Sequence, residues 1–207
     1  MIEPTAQKPD RRSARTRELI EQAALQAFSA RGYDGASTRY IADLAGVKQQ
    51  LITYHYENKL GLWKAAADRL FGACKARFEN RLVGLEGVDE ITKSRLLVRE
   101  FLEFSSQHPE LARFMSQEGA VSSERLNWLY EQHTKELLGF AAATLDRARQ
   151  AIGAPAADPK HLTYVLAGAS AMFSVGAEYQ LLTGRDVDDP EVVEAYTNLV
   201  VSLLLPG

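Results

Sequence analysis

The sequence predicts an all-α fold of about nine helices, with a helix-turn-helix unit at its N-terminal end. Three observations carry this. Apolar residues recur at three- and four-residue spacing along almost the whole chain, no stretch alternates convincingly with period two, and turn-forming residues gather at a few points between the periodic segments. No internal repeat interrupts the pattern.

The first helix is expected from Arg12 to Arg31, with Leu19, Ile20, Ala23, Ala24, Ala27 and Phe28 on one face and Gly32 as its stop. Residues 33–36 are turn material. Ser37 is placed to cap a short helix, Thr38 to Ala45, with Ile41, Leu44 and Ala45 facing inward. Gly46 breaks it, and a second short helix follows from Val47 to about Tyr54. Asn58 can cap a long helix from about Lys59 to Leu82. Gly84, Gly87 and Asp89 mark a connection before a helix over 90–107 that ends at His108–Pro109. Pro109 suits the start of another short helix, and one long helix is expected over 123–151. The clearest loop spans 153–159, and two more helices, 160–182 and 190–205, complete the chain.

Composition excludes several classes. At 207 residues, with 46% hydrophobic and 25% charged, the chain has material for a real core; a folded chain of this length buries roughly 70% of its unfolded surface. A single cysteine, Cys74, excludes a disulfide framework and a multi-thiolate metal site. No apolar run approaches the ~18 residues a membrane span needs, and the first residues hold no apolar signal core, so a soluble, cytoplasmic protein with no membrane partner is expected. The net charge of −3 is unevenly spread. Residues 1–59 carry 9 Lys+Arg against 7 Asp+Glu, and residues 8–17 alone hold five bases and one acid, in front of an acidic body. A basic arm of that kind suits a polyanion at one end of the molecule, although a solvated tail looks the same.

The most informative stretch is STRYIADLAGVKQQLITYHY, residues 37–56, two short helices joined by a tight Gly turn. Ala42 is small where the helices should cross, Gly46 sits at the turn, and Val47 and Ile52 are apolar beneath the second helix. The open face of that helix then offers Lys48, Gln49, Gln50, Thr53 and His55. Glutamine pairs with adenine in the major groove through two hydrogen bonds, and lysine reaches guanine edges or phosphate. A plain amphipathic hairpin would have a similar pattern.

The order of features around this stretch resembles the tetracycline-repressor (TetR) family. It runs from a basic arm and a helix ending Phe28-Ser-Ala-Arg-Gly32-Tyr33 through Ser37-Thr38, Ile41-Ala42 and Ala45-Gly46-Val47 to Tyr54-His55-Tyr56, Asn58-Lys59 and Leu62. The match covers residues 12–63 without a gap; the rest of the chain agrees only in length and helical character. The resemblance implies a homodimeric transcriptional regulator, usually a repressor, that binds double-stranded operator DNA and is released by a small-molecule effector. It also implies a division into a flexible basic arm (1–11), a helix-turn-helix DNA-binding domain (12–58) and a ligand-binding and dimerisation domain (59–207). Gln50, Leu51 and Thr53 depart from the family's usual reading helix, so an operator sequence cannot be carried over.

On this reading Arg12 and Arg15, with Arg11 and Arg17, add salt-sensitive attraction to DNA. Ser37 and Thr38 open a helix where free amides and hydroxyls favour a phosphate, though Ser37 can equally be a plain cap. The family pattern places a phosphate-touching lysine at Lys59, and makes Tyr56 a packing residue while Tyr54 and His55 face the DNA backbone.

In the body no metal-ligand spacing, Gly-rich phosphate loop or nucleophilic grouping can be assembled, and no cofactor is expected. Candidate pocket walls are Leu97, Phe101, Phe104, Phe114, Met115, Trp128, Phe140, Met172 and Phe173, with His133 on an apolar helical stripe. Ordinary core explains any one of them as well. An aromatic-rich, charge-poor pocket would suit an apolar or planar ligand. Cys74 reads as a small buried apolar group. The last two helices, residues 160–205, carry apolar stripes that suit pairing with a second copy: Val165, Leu166, Ala169, Phe173, Gly176 and Ala177 on one, Val192, Val193, Tyr196, Leu199, Val200 and Leu203 on the other. Two other readings stay open from sequence: a helical protein–protein adaptor, and an all-α enzyme.

Overall fold

The computed structural model describes residues 11–206, and among them the secondary structure is helical with no strand. Apart from Arg11, the basic arm expected over residues 1–11 lies outside the described residues. Contacts divide the chain into two compact units, Met1–Arg69 and Leu70–Gly207.

The first unit holds α1 (Arg11–Gly35), α2 (Thr38–Ala45), α3 (Gln49–Tyr56) and the start of α4 (Lys59–Val83). The Gly32 backbone is non-helical, at φ 69 and ψ 174, so α1 is broken where a stop is expected. Its buried face is Ile20, Ala23, Ala24, Leu25, Ala27 and Phe28. Leu19, expected on that face, is exposed. Ile41 and Ala42 bury the inner side of α2, which packs on α1. Leu44 is a correction to the expected inward set, because it is exposed. With only two turns, α2 has one side to hide, and Ile41 and Ala42 already fill it.

The second unit holds the remainder of α4 with α5 (Glu90–Gln107), α6 (Glu110–Gly119), α7 (Glu124–Leu129), α8 (Lys135–Ala151), α9 (Pro159–Ser170), α10 (Gly176–Thr183) and α11 (Pro190–Leu204). Asp89, Ser123, Asp158 and Asp189 cap α5, α7, α9 and α11, each accepting backbone N–H bonds through its side chain. The core is built by α5, α8, α9 and α11, around Val98, Leu102, Leu145, Leu166, Phe173 and Val200. At the end of α11, Arg149 donates to the Leu204 carbonyl (2.7 Å) and Arg95 to the Leu205 carbonyl (3.3 Å), which satisfies acceptors the helix itself leaves open.

Two expected helices are interrupted. The helix over 123–151 contains a π-turn at Tyr130–Thr134. The helix over 160–182 tightens to a 3₁₀ turn at Ala171–Ser174 and breaks at Val175 (φ −116, ψ 37). Arg113 explains the second break: its guanidinium donates twice to the Ser174 carbonyl, at 3.1 and 2.8 Å, and fixes that turn to α6. No helix among the described residues is long and apolar enough to cross a membrane.

Candidate nucleic-acid interface and ligand cavity

The first unit is built by local backbone chemistry. The Ser37 side chain accepts from the Tyr40 amide at 3.1 Å and starts α2. At Gly46 the backbone turns left-handed (φ 67, ψ 30), a conformation that costs an L side chain roughly 1–2 kcal/mol. The Val47 amide then donates back to the Ala42 carbonyl at 3.0 Å, closing the turn. Lys48 stays extended, so α3 begins at Gln49 rather than Val47, and Gln49 Nε2 donates to Thr38 Oγ1 at 3.1 Å.

Burial and two hydrogen bonds to α1 hold α3 in place. Ile52 is buried at 2% exposure, and Tyr56 at 7%. The Tyr56 hydroxyl lies 3.0 Å from Glu21 Oε1 and 3.2 Å from the Arg17 carbonyl, both on α1. Burial, then the Glu21 carboxylate, holds the Tyr56 phenol well above its ordinary pKa, so it stays a neutral donor. At the other end Gly61 lies so close to α3 that a Cβ there would overlap the Tyr56 carbonyl oxygen. Asn58 Oδ1 accepts from the Gly61 amide at 2.9 Å and caps α4. Sequence reading missed Gly61, because a glycine in the first turn of a helix looks dispensable until its neighbour is known.

Packing of Ile52 and Tyr56 leaves Lys48, Gln49, Gln50, Thr53 and Tyr54 exposed together along α3. Tyr54 is 78% exposed, against 7% for Tyr56, which separates the two tyrosines as expected. His55 is half-buried, its ring 4.9 Å from that of Tyr54; burial, then Arg17, pushes its pKa down, so it is a neutral ring at neutral pH. Arg12 and Arg15 are exposed on α1, Ser37 is exposed, and Thr38 is half-buried.

Lys59 is not simply solvated: its ammonium lies 4.5 Å from the centre of the Tyr33 ring and donates at 3.5 Å to the Asp34 carbonyl. The Tyr33 ring in turn packs on Phe28 and Trp63. Arg39 of α2 is exposed, and Arg31 of α1 sits 3.7 Å over the Tyr40 ring of α2, two cations that the spacing of the reading helix gave no reason to single out. A short helix packed beneath a second one whose polar side stays open is the helix-turn-helix arrangement, in which the second helix enters the DNA major groove.

The second unit contains a cavity of about 570 Å³, open mouth included, between α4, α5, α8 and α9. Its walls are Phe78, Leu97, Val98, Phe101, Leu137, Leu138, Phe140, Ala141, Leu145, Leu166 and Ala167, together with Ser94, Thr144 and Thr163. No charged side chain lines it.

Of the pocket walls expected from sequence, the cavity brings together Leu97, Phe101 and Phe140. It does not include Phe104, Phe114, Met115, Trp128, His133, Met172 or Phe173. Phe104 is buried and stacked on His108 at 4.3 Å. Phe114 and His133 lie against Phe71, the His133 ring stacked at 5.2 Å, with Trp128 edge-on to His133. The π-turn explains this: its extra residue sets His133 beside Phe71, while Leu137, Phe140 and Thr144 of α8 face the cavity. Phe173 is core, and Met172 packs against it. Phe78, Ser94 and Thr163 were missed, since a serine and a threonine on amphipathic helices carry no sequence signal for a cavity. Cys74 is fully buried, and burial pushes its thiol up to about 12.

The apolar stripes of the last helices are also redistributed. Leu166, Phe173 and Val200 belong to the unit's own core, and Val192 is buried as well. The large apolar side chains left exposed there are Tyr164, Val165, Val175, Leu199 and Leu203, with Leu181 and Leu182 of α10 at 90% and 83% exposure.

The described residues thus form an N-terminal helix-turn-helix unit and a second helical unit that holds an apolar cavity. Residues 20–71 match the family described as bacterial regulatory proteins, tetR family. A protein of Bacillus subtilis (strain 168) described as "Probable HTH-type transcriptional regulator YttP" is 25% identical over 108 residues, 52% of this chain and 52% of that protein. The chain thus spans about half the length of that curated relative. Among solved structures, AibR in complex with isovaleryl coenzyme A and operator DNA aligns over 92% of this chain and 98% of its own, with a TM-score of 0.66 and 16% identity. FadR from Bacillus subtilis in complex with stearoyl-CoA covers the same shares at a TM-score of 0.66 and 19% identity. These structural likenesses establish the fold.

Proposed function

We propose that the chain is a ligand-responsive transcriptional repressor that acts in the cytoplasm as a homodimer on a pseudo-palindromic operator. The observation that carries this is the open face of α3, where Gln50, Thr53 and Tyr54 are exposed while Ile52 and Tyr56 are locked inward. In this reading Lys48, Gln49, Gln50 and Thr53 meet base edges, and Ser37, Thr38, Tyr54, His55, Lys59, Arg12 and Arg15 meet the phosphate backbone. One reading helix makes few base contacts. Two are needed for useful affinity, one helical turn or more apart, about 34–36 Å. The exposed Val165, Leu199 and Leu203 support residues 160–205 as the surface that joins the copies.

The cavity supports the sensor half of the reading. An effector that favours the form with the wrong half-site spacing by ~1–3 kcal/mol would shift operator occupancy 5–150-fold. That AibR was crystallised with both an acyl-CoA and operator DNA is a precedent for one chain taking both partners.

Leu199→Glu tests the dimer. It sets a carboxylate in an apolar seam, costing several kcal/mol unless paired. The variant is expected to sediment as a monomer or aggregate, and to lose operator binding although residues 12–63 are untouched. A monomer that binds the full operator at wild-type affinity would overturn the dimer mechanism.

A further inference from the structure

The two glutamines that open α3 are both exposed, and one of them is held. Gln49 Nε2 donates to Thr38 Oγ1 at 3.1 Å, which joins the first residue of α3 to the first residue of α2. The Thr38 hydroxyl is not spent as a helix cap, because the Ser37 side chain already takes the Tyr40 amide. Thr38 is half-buried, and its branched Cβ restricts the side chain to few rotamers. Lys48, in front of α3, makes no side-chain cap, so the contact is made at a helix start that its own cap residue does not brace.

Glutamine reads adenine with two groups at once: its carbonyl oxygen accepts from one base atom while an N–H donates to another. The amide nitrogen carries two N–H groups. Giving one to Thr38 leaves the second N–H and the carbonyl oxygen for a base. An amide already tied in place also loses less rotamer freedom when it meets that base. On the other side of the contact, Thr38 uses a lone pair to accept from Gln49 and keeps its own O–H as a donor. A phosphate oxygen is an acceptor for that O–H.

We propose that Thr38 is the positioning residue for Gln49: its O–H meets a phosphate while its oxygen orients the Gln49 amide toward a base. Base reading by Gln49 then depends on Thr38, and base reading by Gln50 does not. This rests on the reading of α3 as the helix that enters the DNA.

The test uses the duplex that the full chain selects from random DNA, together with duplexes in which one base pair at a time is changed. Discrimination at a position is the ratio of the two dissociation constants there. Gln49→Ala is expected to lose discrimination of about 5–100-fold at one position of each half-site. Thr38→Val keeps the shape and removes the hydroxyl; it should weaken all duplexes and, beyond that, cut discrimination at the Gln49 position at least about 3-fold. Thr38→Ala repeats the removal without the branched Cβ, and Thr38→Ser, which keeps the hydroxyl, should restore the wild-type ratio. The double variant Thr38→Val with Gln49→Ala should discriminate there no worse than Gln49→Ala alone, the mark of two residues acting as one. Discrimination at the position read by Gln50 should stay at its wild-type value in all Thr38 variants.

Equal weakening of all duplexes by Thr38→Val and Thr38→Ala, with the Gln49 ratio intact, would make Thr38 a phosphate contact alone and overturn the proposal. Loss of discrimination at every position would make it a packing residue and overturn it as well. If Gln49→Ala changes no ratio, the proposal falls while reading by Gln50 stands. If the wild-type chain selects no sequence, the reading of α3 falls with it.

Discussion

The two units of this chain were shaped by different demands. In the first, small backbone details decide the outcome: a left-handed Gly46, a side-chain cap at Ser37, a hydroxyl on Tyr56 tied to α1, and a Gly61 that leaves room for one carbonyl. In the second, the core needs apolar side chains of adequate volume at helical spacing, and the cavity is what remains where those side chains do not meet. A surface that must match a fixed partner tolerates little change of angle. A pocket that must admit a ligand has to leave its walls under-packed.

That contrast can be broken most sharply by substitutions of similar size in the two units. Gly61→Ala adds one methyl, but against the Tyr56 carbonyl, so α3 or α4 must shift; a loss of about 1–3 kcal/mol is expected in denaturant titration. Leu166→Met in the cavity wall keeps volume and polarity, and a cost under about 1.5 kcal/mol is expected. If the order is reversed, the first unit is not the less tolerant one.

Within the first unit, residues on the reading face should differ from those on the phosphate side. Gln50→Ala is expected to cost about 1–3 kcal/mol in binding and to relax base preference at one or two positions of each half-site. Lys59→Ala should weaken all sequences about equally and flatten the salt slope by roughly one unit. Because Lys59 already rests over Tyr33, a somewhat smaller loss there would show that the ring, not the phosphate, holds the ammonium. A loss confined to one base would move Lys59 into the reading set.

The smallest effect separates two serines. Ser37→Ala removes a working cap and is expected to lower stability by about 1 kcal/mol. Ser94→Ala removes a buried hydroxyl without a partner and should leave the melting temperature unchanged or slightly raised. Thermal melts of the two single variants beside wild type decide it.

The same contrast explains what could be read from sequence. The first unit was legible because its constraints are local: Ser37, Gly46 and Asn58 each announce a cap or a turn within a few residues. Its misses were contacts across the fold, such as Gly61 against Tyr56 and Lys59 over Tyr33. In the second unit the helices were legible from periodicity, but not their interruptions, the π-turn at 130–134 and the break at Val175, the latter beside a Ser174 carbonyl held by Arg113 from another helix. The cavity was legible only in Leu97, Phe101 and Phe140. Buried aromatics such as Phe104 and Phe114 carry the same sequence pattern as cavity walls, and only packing tells them apart.

We propose that two copies of this chain read DNA through α3. Selection of bound sequences from random duplex DNA, using the full chain, tests it most directly. The expected result is one enriched pseudo-palindrome whose half-sites lie about 10 base pairs or more apart, centre to centre. Enrichment of a single unpaired site would contradict the dimer, and no enrichment at all would contradict the reading of α3 itself.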